Sequence, residues 1–227
     1  AAAYLLYVVT LGGLSAAERK RVGVIPVCFL APACFWSGFV QAGSWMNLFA
    51  VRLTNRMFGG WEMPASWLQA VNGLFIIMLA PLFSALWLWM GSRNPWIPTK
   101  MGMRVVFLGV GFSVLAWGST NATLENPVSP SWLVATYFFH TIGELCLSPI
   151  GLSSITKLSP ARYVGQMMGI WFMGAALGNL VAGRVAGLIE SLPLPQLFGA
   201  VTMFSAAAGL LLLVFAKPLK GWIGDAK

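Results

Sequence analysis

A row of polar side chains runs through one otherwise apolar stretch, YFFHTIGELCLSPIG at residues 137–151. Its polar members are Tyr137, His140, Thr141, Glu144 and Ser148. Residues spaced by three and four share one face of an α-helix, so this spacing predicts a polar stripe. Such a stripe faces a neighbouring helix or a water-filled cavity rather than lipid. A carboxylate within it can bind an ammonium group or carry a proton.

Two other roles for Glu144 are open from the residues alone. The carboxylate can pair with an Arg or His and hold a helix bundle together. A metal site with His140 needs further ligands, and the sequence offers none at a suitable spacing, so we expect no metal and no cofactor. The cysteines, Cys28, Cys34 and Cys146, lie inside apolar runs and fit best as small apolar side chains.

Pro149 follows the stripe at once and is expected to interrupt its helix. A proline has no N–H to donate to the carbonyl four residues earlier, here that of Leu145, and its ring bends the helix. Interrupted helices at membrane depth line cavities and point to the binding sites of transporters. The sequence therefore predicts a freed carbonyl beside the Glu144 carboxylate.

The composition predicts an all-α integral membrane protein. The chain has 58% hydrophobic and only 9% charged residues, whereas soluble domains carry about 25% charged residues. No segment alternates with a period of two, and lipid-exposed backbone must satisfy its own hydrogen bonds, so the spans are helices. Six stretches are long enough to cross a bilayer, near 22–50, 64–90, 101–119, 131–156, 163–190 and 195–216.

The positive charges predict the orientation of these spans. Of the 14 Lys and Arg residues, only Arg52, Arg56 and Arg184 fall on the side opposite the other eleven. Residues 15–21 and the C-terminus are therefore expected in the cytoplasm. The excess charge of +8 belongs to that face, which argues against a nucleic-acid partner. Lys100 and Arg104 are counted with it, and we expect no Lys or Arg at mid-membrane depth.

The amides inside the spans allow two interpretations, whereas the glycines there indicate helix packing. Gln41 lies on one helix face with Ser37, Ser44 and Asn47, and Asn72 lies one turn after Gln69. These groups either form hydrogen bonds between helices or line a site. The pairs Gly165–Gly169, Gly174–Gly178 and Gly183–Gly187 predict close helix packing.

Three segments resemble the proton-dependent oligopeptide transporters, a branch of the major facilitator superfamily. They are FWSGFVQAGSWMNLFA, GWEMPASWLQAVNGLFIIMLAP and HTIGELCLSPIGLSSITKLSPARYVGQMMGIWF, and the likeness extends over nearly all of 16–216. The resemblance implies twelve helices in two bundles around a central cavity. Residues 15–227 would be the C-terminal six-helix bundle. Residues 1–14, too short to span alone, would end a linker helix between the bundles.

The resemblance also implies roles for individual residues. The carboxylate of the Gly-Glu-Leu motif would bind the amino terminus of a peptide, and it is the candidate for proton coupling. The tryptophans of the Phe-Trp and Gly-x-Trp-Phe motifs would line side-chain pockets. The implied substrate-binding residues are Glu144, Ser148, Trp36, Trp171 and Asn72, the last followed by Gly73 where the family commonly has proline.

One position departs from the family pattern. Many members have Glu or Asp four residues after the Phe-Trp tryptophan, where this chain has Val40. The implied function is proton-coupled symport of di- and tripeptides by alternating access, in a multi-pass protein of the bacterial plasma membrane. The cation for the peptide's carboxylate would come from the N-terminal bundle. Altered coupling, another substrate or a non-transporting bundle are the alternatives. An enzyme is not expected, because no activated nucleophile accompanies Glu144.

Overall fold

The computed structural model describes residues 1–146, 148–187 and 192–223, with the side chains of 148–150 left out. This part of the chain is almost wholly helical. The α-helices are α1 (Ala2–Leu11), α2 (Ala16–Val22), α3 (Ile25–Phe39), α4 (Trp45–Arg52), α5 (Ala65–Met90), α6 (Ile97–Gly118), α7 (Ser131–Leu145), α8 (Ser148–Leu158), α9 (Val164–Ala186) and α10 (Leu194–Ile223). Short 3-10 segments occur at Val40–Gly43, Gly91–Arg93 and Ala161–Tyr163.

The helical stretches agree with the spans expected from the sequence. Five are long and apolar enough to cross a membrane: Ala16–Arg52, Ala65–Arg93, Ile97–Gly118, Ala161–Ala186 and Leu194–Ile223. The sixth predicted span, 131–156, corresponds to α7 followed by α8. The predicted all-α membrane bundle is therefore confirmed.

Helix α6 lies at the centre of the bundle, against α3, α7 and α10. Its apolar residues Val105, Leu108 and Phe112 are fully buried. The contact with α10 is close because both helices present glycine. A Cβ added to Gly209 would lie 2.8 Å from the backbone nitrogen of Val106. Such close packing replaces the hydrophobic driving force that is absent between helices in lipid.

Helices α3 and α9 also pack through glycine, and only part of the predicted glycine pattern takes part. Added Cβ atoms would lie 2.4 Å from the Phe29 carbonyl oxygen at Gly174 and 2.6 Å from the Ala33 carbonyl oxygen at Gly178. The other four paired glycines, Gly165, Gly169, Gly183 and Gly187, have no such neighbour within 4 Å in the described chain. The middle pair alone sets the approach of these two helices.

The loop between α4 and α5, which carries Arg56 on the side opposite the basic clusters, meets the loop between α6 and α7 in the structure. The backbone N–H of Asn55 donates to the Val128 carbonyl at 2.8 Å, and the Val128 N–H donates to the Leu53 carbonyl at 2.9 Å. The first loop also carries a two-stranded hairpin, β1 (Met57–Phe58) and β2 (Trp61–Glu62). These bonds place the two loops at one end of the bundle.

The connections that carry most of the positive charge gather at the other end. The Arg162 guanidinium donates to the carbonyls of Gly12 and Gly13, which joins the α8–α9 connection to the α1–α2 connection. The Lys220 ammonium lies 4.9 Å from the ring centroid of Trp96, which joins the end of α10 to the start of α6. The basic clusters thus share one face, as the charge count predicts.

Candidate functional site

The Glu144 carboxylate lies in the last turn of α7. That helix ends at Leu145, and α8 begins at Ser148, so the separation falls where Pro149 predicts it; Leu147 lies outside the described residues. The carbonyl end of a helix carries a partial negative charge. A carboxylate added to this end makes a local centre of negative potential, which favours a bound cation.

The polar stripe of α7 is mostly buried against neighbouring helices. Tyr137, His140 and Thr141 are at most 2% exposed, and Glu144 is half-buried. The stripe thus avoids the lipid-facing surface, as predicted. Among its described members, Glu144 alone stays partly open.

An amide from α5 joins the stripe at this open end. The Asn72 side chain donates to the Thr141 hydroxyl at 2.9 Å, and this hydroxyl donates to the Tyr137 carbonyl at 2.8 Å. Thr141 lies three residues before Glu144, so the Asn72 amide is about one helical turn from the carboxylate. One oxygen of that carboxylate, Oε2, is buried and has no hydrogen-bond partner among the described residues. Asn72 and Glu144, both predicted from the sequence, therefore lie at the same polar end of α7.

Trp36 contributes an aromatic wall from α3. Its ring makes edge contacts with Phe35 and Phe39, with centroids 5.9 and 5.4 Å apart. Its Cβ lies 2.8 Å from the position that a Cβ on Gly178 would occupy. Trp36 is itself half-buried, so this wall is held by packing yet remains partly open.

A buried cation lies against this wall, although the charge count groups it with the basic clusters of the cytoplasmic side. Arg104 of α6 is 3% exposed. Its guanidinium carbon lies 3.7 Å from the ring centroid of Phe35 and 5.7 Å from that of Trp36. The guanidinium is therefore held against aromatic rings of α3.

Helix α6 approaches α7 closely at the level of Arg104 and Glu144. Gly143, next to Glu144, has no side chain, and a Cβ there would lie 2.8 Å from the Arg104 carbonyl oxygen. In the structure Arg104 follows the first residue of α6, Ile97, by seven positions, about 10 Å along a helix axis. The predicted span began only at 101, so the sequence placed Arg104 nearer to the end of its helix.

The predicted Trp171 is not brought to this centre. Trp171 of α9 is half-buried, but it lies seven residues before Gly178, about 10 Å away along the helix axis. Since Gly178 contacts Trp36, the two tryptophans lie at different levels of the bundle. The predicted Ser148 side chain lies outside the described residues.

The amide beside Val40 has a structural role. Gln41 is fully buried and donates to the carbonyls of Ser37 and, at 3.0 Å, Ala182. It therefore joins α3 to α9, as expected for an amide that forms a hydrogen bond between helices. Val40, in contrast, is 40% exposed at the start of the 3-10 segment. A carboxylate at its place would be open to solvent or to another part of the protein.

His140 is enclosed by apolar side chains. It is fully buried, and its ring centroid lies 4.8 Å from that of Phe112. Neither ring nitrogen has a hydrogen-bond partner of normal geometry in the described chain, although the Leu108 backbone interacts with the ring. The described residues contain no cluster of three His, Cys, Asp or Glu side chains.

Comparison with known proteins gives a family match over most of the chain. The model of the family described as PTR2, POT family, matches residues 13–203. Peptide transporter YePEPT of Yersinia enterocolitica is 38% identical over 220 residues, which are 93% of this chain and 43% of that protein. Dipeptide and tripeptide permease A of Escherichia coli is 34% identical over 176 residues, 78% of this chain and 35% of that protein.

Solved structures give the same result for the fold. A crystal structure of peptide transporter POT in complex with sulfate superposes with a TM-score of 0.88 at 32% sequence identity. The superposition covers 97% of this chain and 45% of that transporter. This chain therefore spans less than half the length of the relatives that it matches.

Proposed function

The chain belongs to the POT family, and on this premise we propose that it forms the C-terminal six-helix bundle of a proton-coupled symporter for di- and tripeptides. The short span of the match relative to its relatives supports the role of one bundle among two. A preceding N-terminal bundle would complete the central cavity. Alternating access would then arise from rocking of the two bundles about a site near the bilayer midplane.

The observation that supports this proposal is the environment of the Glu144 carboxylate. Its half-buried carboxylate has a buried oxygen without a hydrogen-bond partner among the described residues, about one helical turn from the Asn72 amide. A free peptide carries an ammonium group that needs such an anion, amides for its backbone and aromatic walls for its side chains. Glu144, Asn72 and Trp36 supply one of each. Ser148 would line the same pocket, and Trp171 a side-chain pocket at another level.

The orientation of the bundle in the membrane is part of the same proposal. Residues 15–21 and the C-terminus would face the cytoplasm, since the clusters of Lys and Arg share that end of the bundle. The protein would be a multi-pass component of the bacterial inner membrane. Residues 1–14 would end the linker between the two bundles. No catalytic step is part of this function.

Uptake by the full-length protein in liposomes tests the proposal. An inward proton gradient is expected to drive labelled dialanine above its equilibrium level, and a protonophore should reduce that accumulation to equilibrium. Unlabelled trialanine should compete with the labelled dipeptide. Protein-dependent uptake that is indifferent to the gradient would refute proton coupling, and a lack of any peptide uptake would refute peptide transport.

Val40 favours one alternative, a family member with altered coupling. An apolar side chain cannot titrate, and this one stands at an exposed position. We expect Val40→Glu to change the pH dependence of dipeptide uptake, because it adds a titratable group on the open side of α3. Val40→Gln, which adds polarity without a titratable proton, is the matched control. Identical pH profiles for Val40→Glu and wild type would place coupling wholly in the other bundle.

A further inference from the structure

We propose that a cavity at the basic end of the bundle binds the phosphate group of an anionic ligand, with the headgroup of an acidic phospholipid as its expected source. The cavity is formed by α6, α8 and the connection between α5 and α6. None of its lining residues belongs to the proposed peptide site. Binding here can therefore be tested without reference to peptide transport.

The cavity lies beside the first turn of α6 and has a volume of about 270 Å³. Trp96 and Ile97 line it from the start of that helix, and Ser153 and Lys157 line it from α8. The two α8 residues are exposed, so the cavity opens to the surface on that side. Pockets for drug-sized molecules measure about 300–1,000 Å³, so this space suits one compact chemical group.

A buried cation, Lys100, lines this cavity from the first turn of α6. The residue is 3% exposed, and in the described part of the chain its ammonium forms neither a hydrogen bond nor an ion pair. The Trp87 ring, with its centroid 4.1 Å away, supplies a cation–π contact but no negative charge. The ammonium is nevertheless not fully enclosed and remains in contact with the cavity. Because a buried charge is costly unless an opposite charge compensates it, this arrangement favours an anion in the cavity.

Two further lysines reach the same cavity from other helices. Lys157 lines it from α8. Lys220 of α10 lies 4.9 Å from the ring centroid of Trp96, which is itself a lining residue. The described lining contains no Asp or Glu. Since like charges repel one another, the approach of lysines from three helices is favourable when an anion lies between them.

The N-terminus of α6 adds partial positive charge beside Lys100. The first N–H groups of a helix have no acceptor within the helix, and the helix dipole is positive at that end. Trp96 precedes the helix and gives no side-chain cap. Phosphate groups bind at helix ends of this kind. The helix end and the Lys100 ammonium can thus contact the same phosphate.

The position of the cavity favours a lipid as the source of that phosphate. It lies where the membrane span Ile97–Gly118 begins, next to Trp96. Tryptophans at the ends of membrane spans lie at the level of the lipid headgroups. Basic pockets between membrane helices bind the headgroups of anionic lipids. Phosphatidylglycerol, whose phosphate carries one negative charge, is therefore a suitable probe.

Thermal unfolding of the purified full-length protein in detergent tests the site. A ligand that binds only the folded state raises the unfolding midpoint as its concentration rises. Soluble dihexanoyl phosphatidylglycerol, titrated at fixed pH and ionic strength, is expected to raise the midpoint of wild type. Lys100→Met should weaken its apparent affinity roughly tenfold or more, the scale of a lost hydrogen bond to a charged group. Lys100→Arg, which keeps the charge, should retain the affinity.

Lys20→Met is the matched control, because it removes an exposed charge from a basic cluster outside the cavity; it should respond like wild type. Dihexanoyl phosphatidylcholine, which has the same chains and no net charge, should raise the midpoint much less. Inorganic phosphate separates the two sources of the anion. A shift that depends on Lys100 with inorganic phosphate but not with phosphatidylglycerol would support the site and assign it to a soluble phosphate. Equal responses of wild type and Lys100→Met to both probes would overturn the proposal.

Discussion

Glu144→Gln is expected to reduce dialanine uptake by the full-length transporter roughly 100-fold, to near the background of empty liposomes. The substitution preserves the size and shape of the side chain but removes its negative charge. A substrate ammonium taken out of water then lacks an anion. This acts against occupancy of the site, so the loss should appear in binding as well as in uptake.

The same exchange at an exposed position gives the control. Glu125 lies in the exposed loop between α6 and α7, and Glu125→Gln should transport like wild type. Expression and the elution profile in detergent must be unchanged for both variants. Uptake by Glu144→Gln within a factor of about two of wild type would remove Glu144 from the site, because loss of a required charge cannot have so small an effect.

Gly178→Ala is expected to lower the thermal unfolding midpoint by about 4 to 10 °C. The new methyl group would lie 2.6 Å from the Ala33 carbonyl oxygen, 2.8 Å from the Trp36 Cβ and 3.1 Å from the Ser37 backbone nitrogen. None of these atoms can move without the α3 backbone. The helices must separate, and the wall that carries Trp36 moves with them, so dipeptide affinity should fall as well.

Gly183→Ala is the matched control on the same helix. No neighbouring atom of the described chain lies within 4 Å of the added methyl group, and alanine is the better helix former. Its unfolding midpoint should equal or exceed that of wild type. Equal midpoints for Gly178→Ala and Gly183→Ala would show that α3 and α9 are not held by close backbone contact.

The spans were predictable because lipid imposes simple rules on sequence. Long apolar runs, turn residues between them and the bias of Lys and Arg fix helices and loops without any knowledge of partners. The contact between the loops at Asn55 and Val128 and the joining of basic connections at Arg162 agree with those rules.

The Arg104 environment was not predictable from the same rules. The charge count treats every Arg near the end of a span as a surface charge. The first turns of a helix can nevertheless be buried by neighbouring helices. Whether such an arginine is buried depends on tertiary contacts: the glycine at 143 and the Phe35 ring on α3. These come from segments far apart in the chain, and periodicity within one helix does not reveal them.

The polar stripe shows the same limit. Spacing placed Tyr137, His140, Thr141 and Glu144 on one face of α7, and the structure agrees. It could not separate His140, enclosed by Phe112, from Glu144, which stays partly open. That distinction depends on which neighbouring helix covers each turn.

The central claim is that Glu144 holds the ammonium end of a peptide, and a binding cycle between protein and ligand tests it most directly. Dialanine and N-acetyl-dialanine are titrated into purified full-length wild type and Glu144→Gln at the same pH. In wild type, acetylation should weaken binding roughly 100-fold, the scale expected for a lost charge pair. In Glu144→Gln, acetylation should have almost no further effect. An equal loss on acetylation in both proteins would contradict the account, because the ammonium would then be recognised by another group.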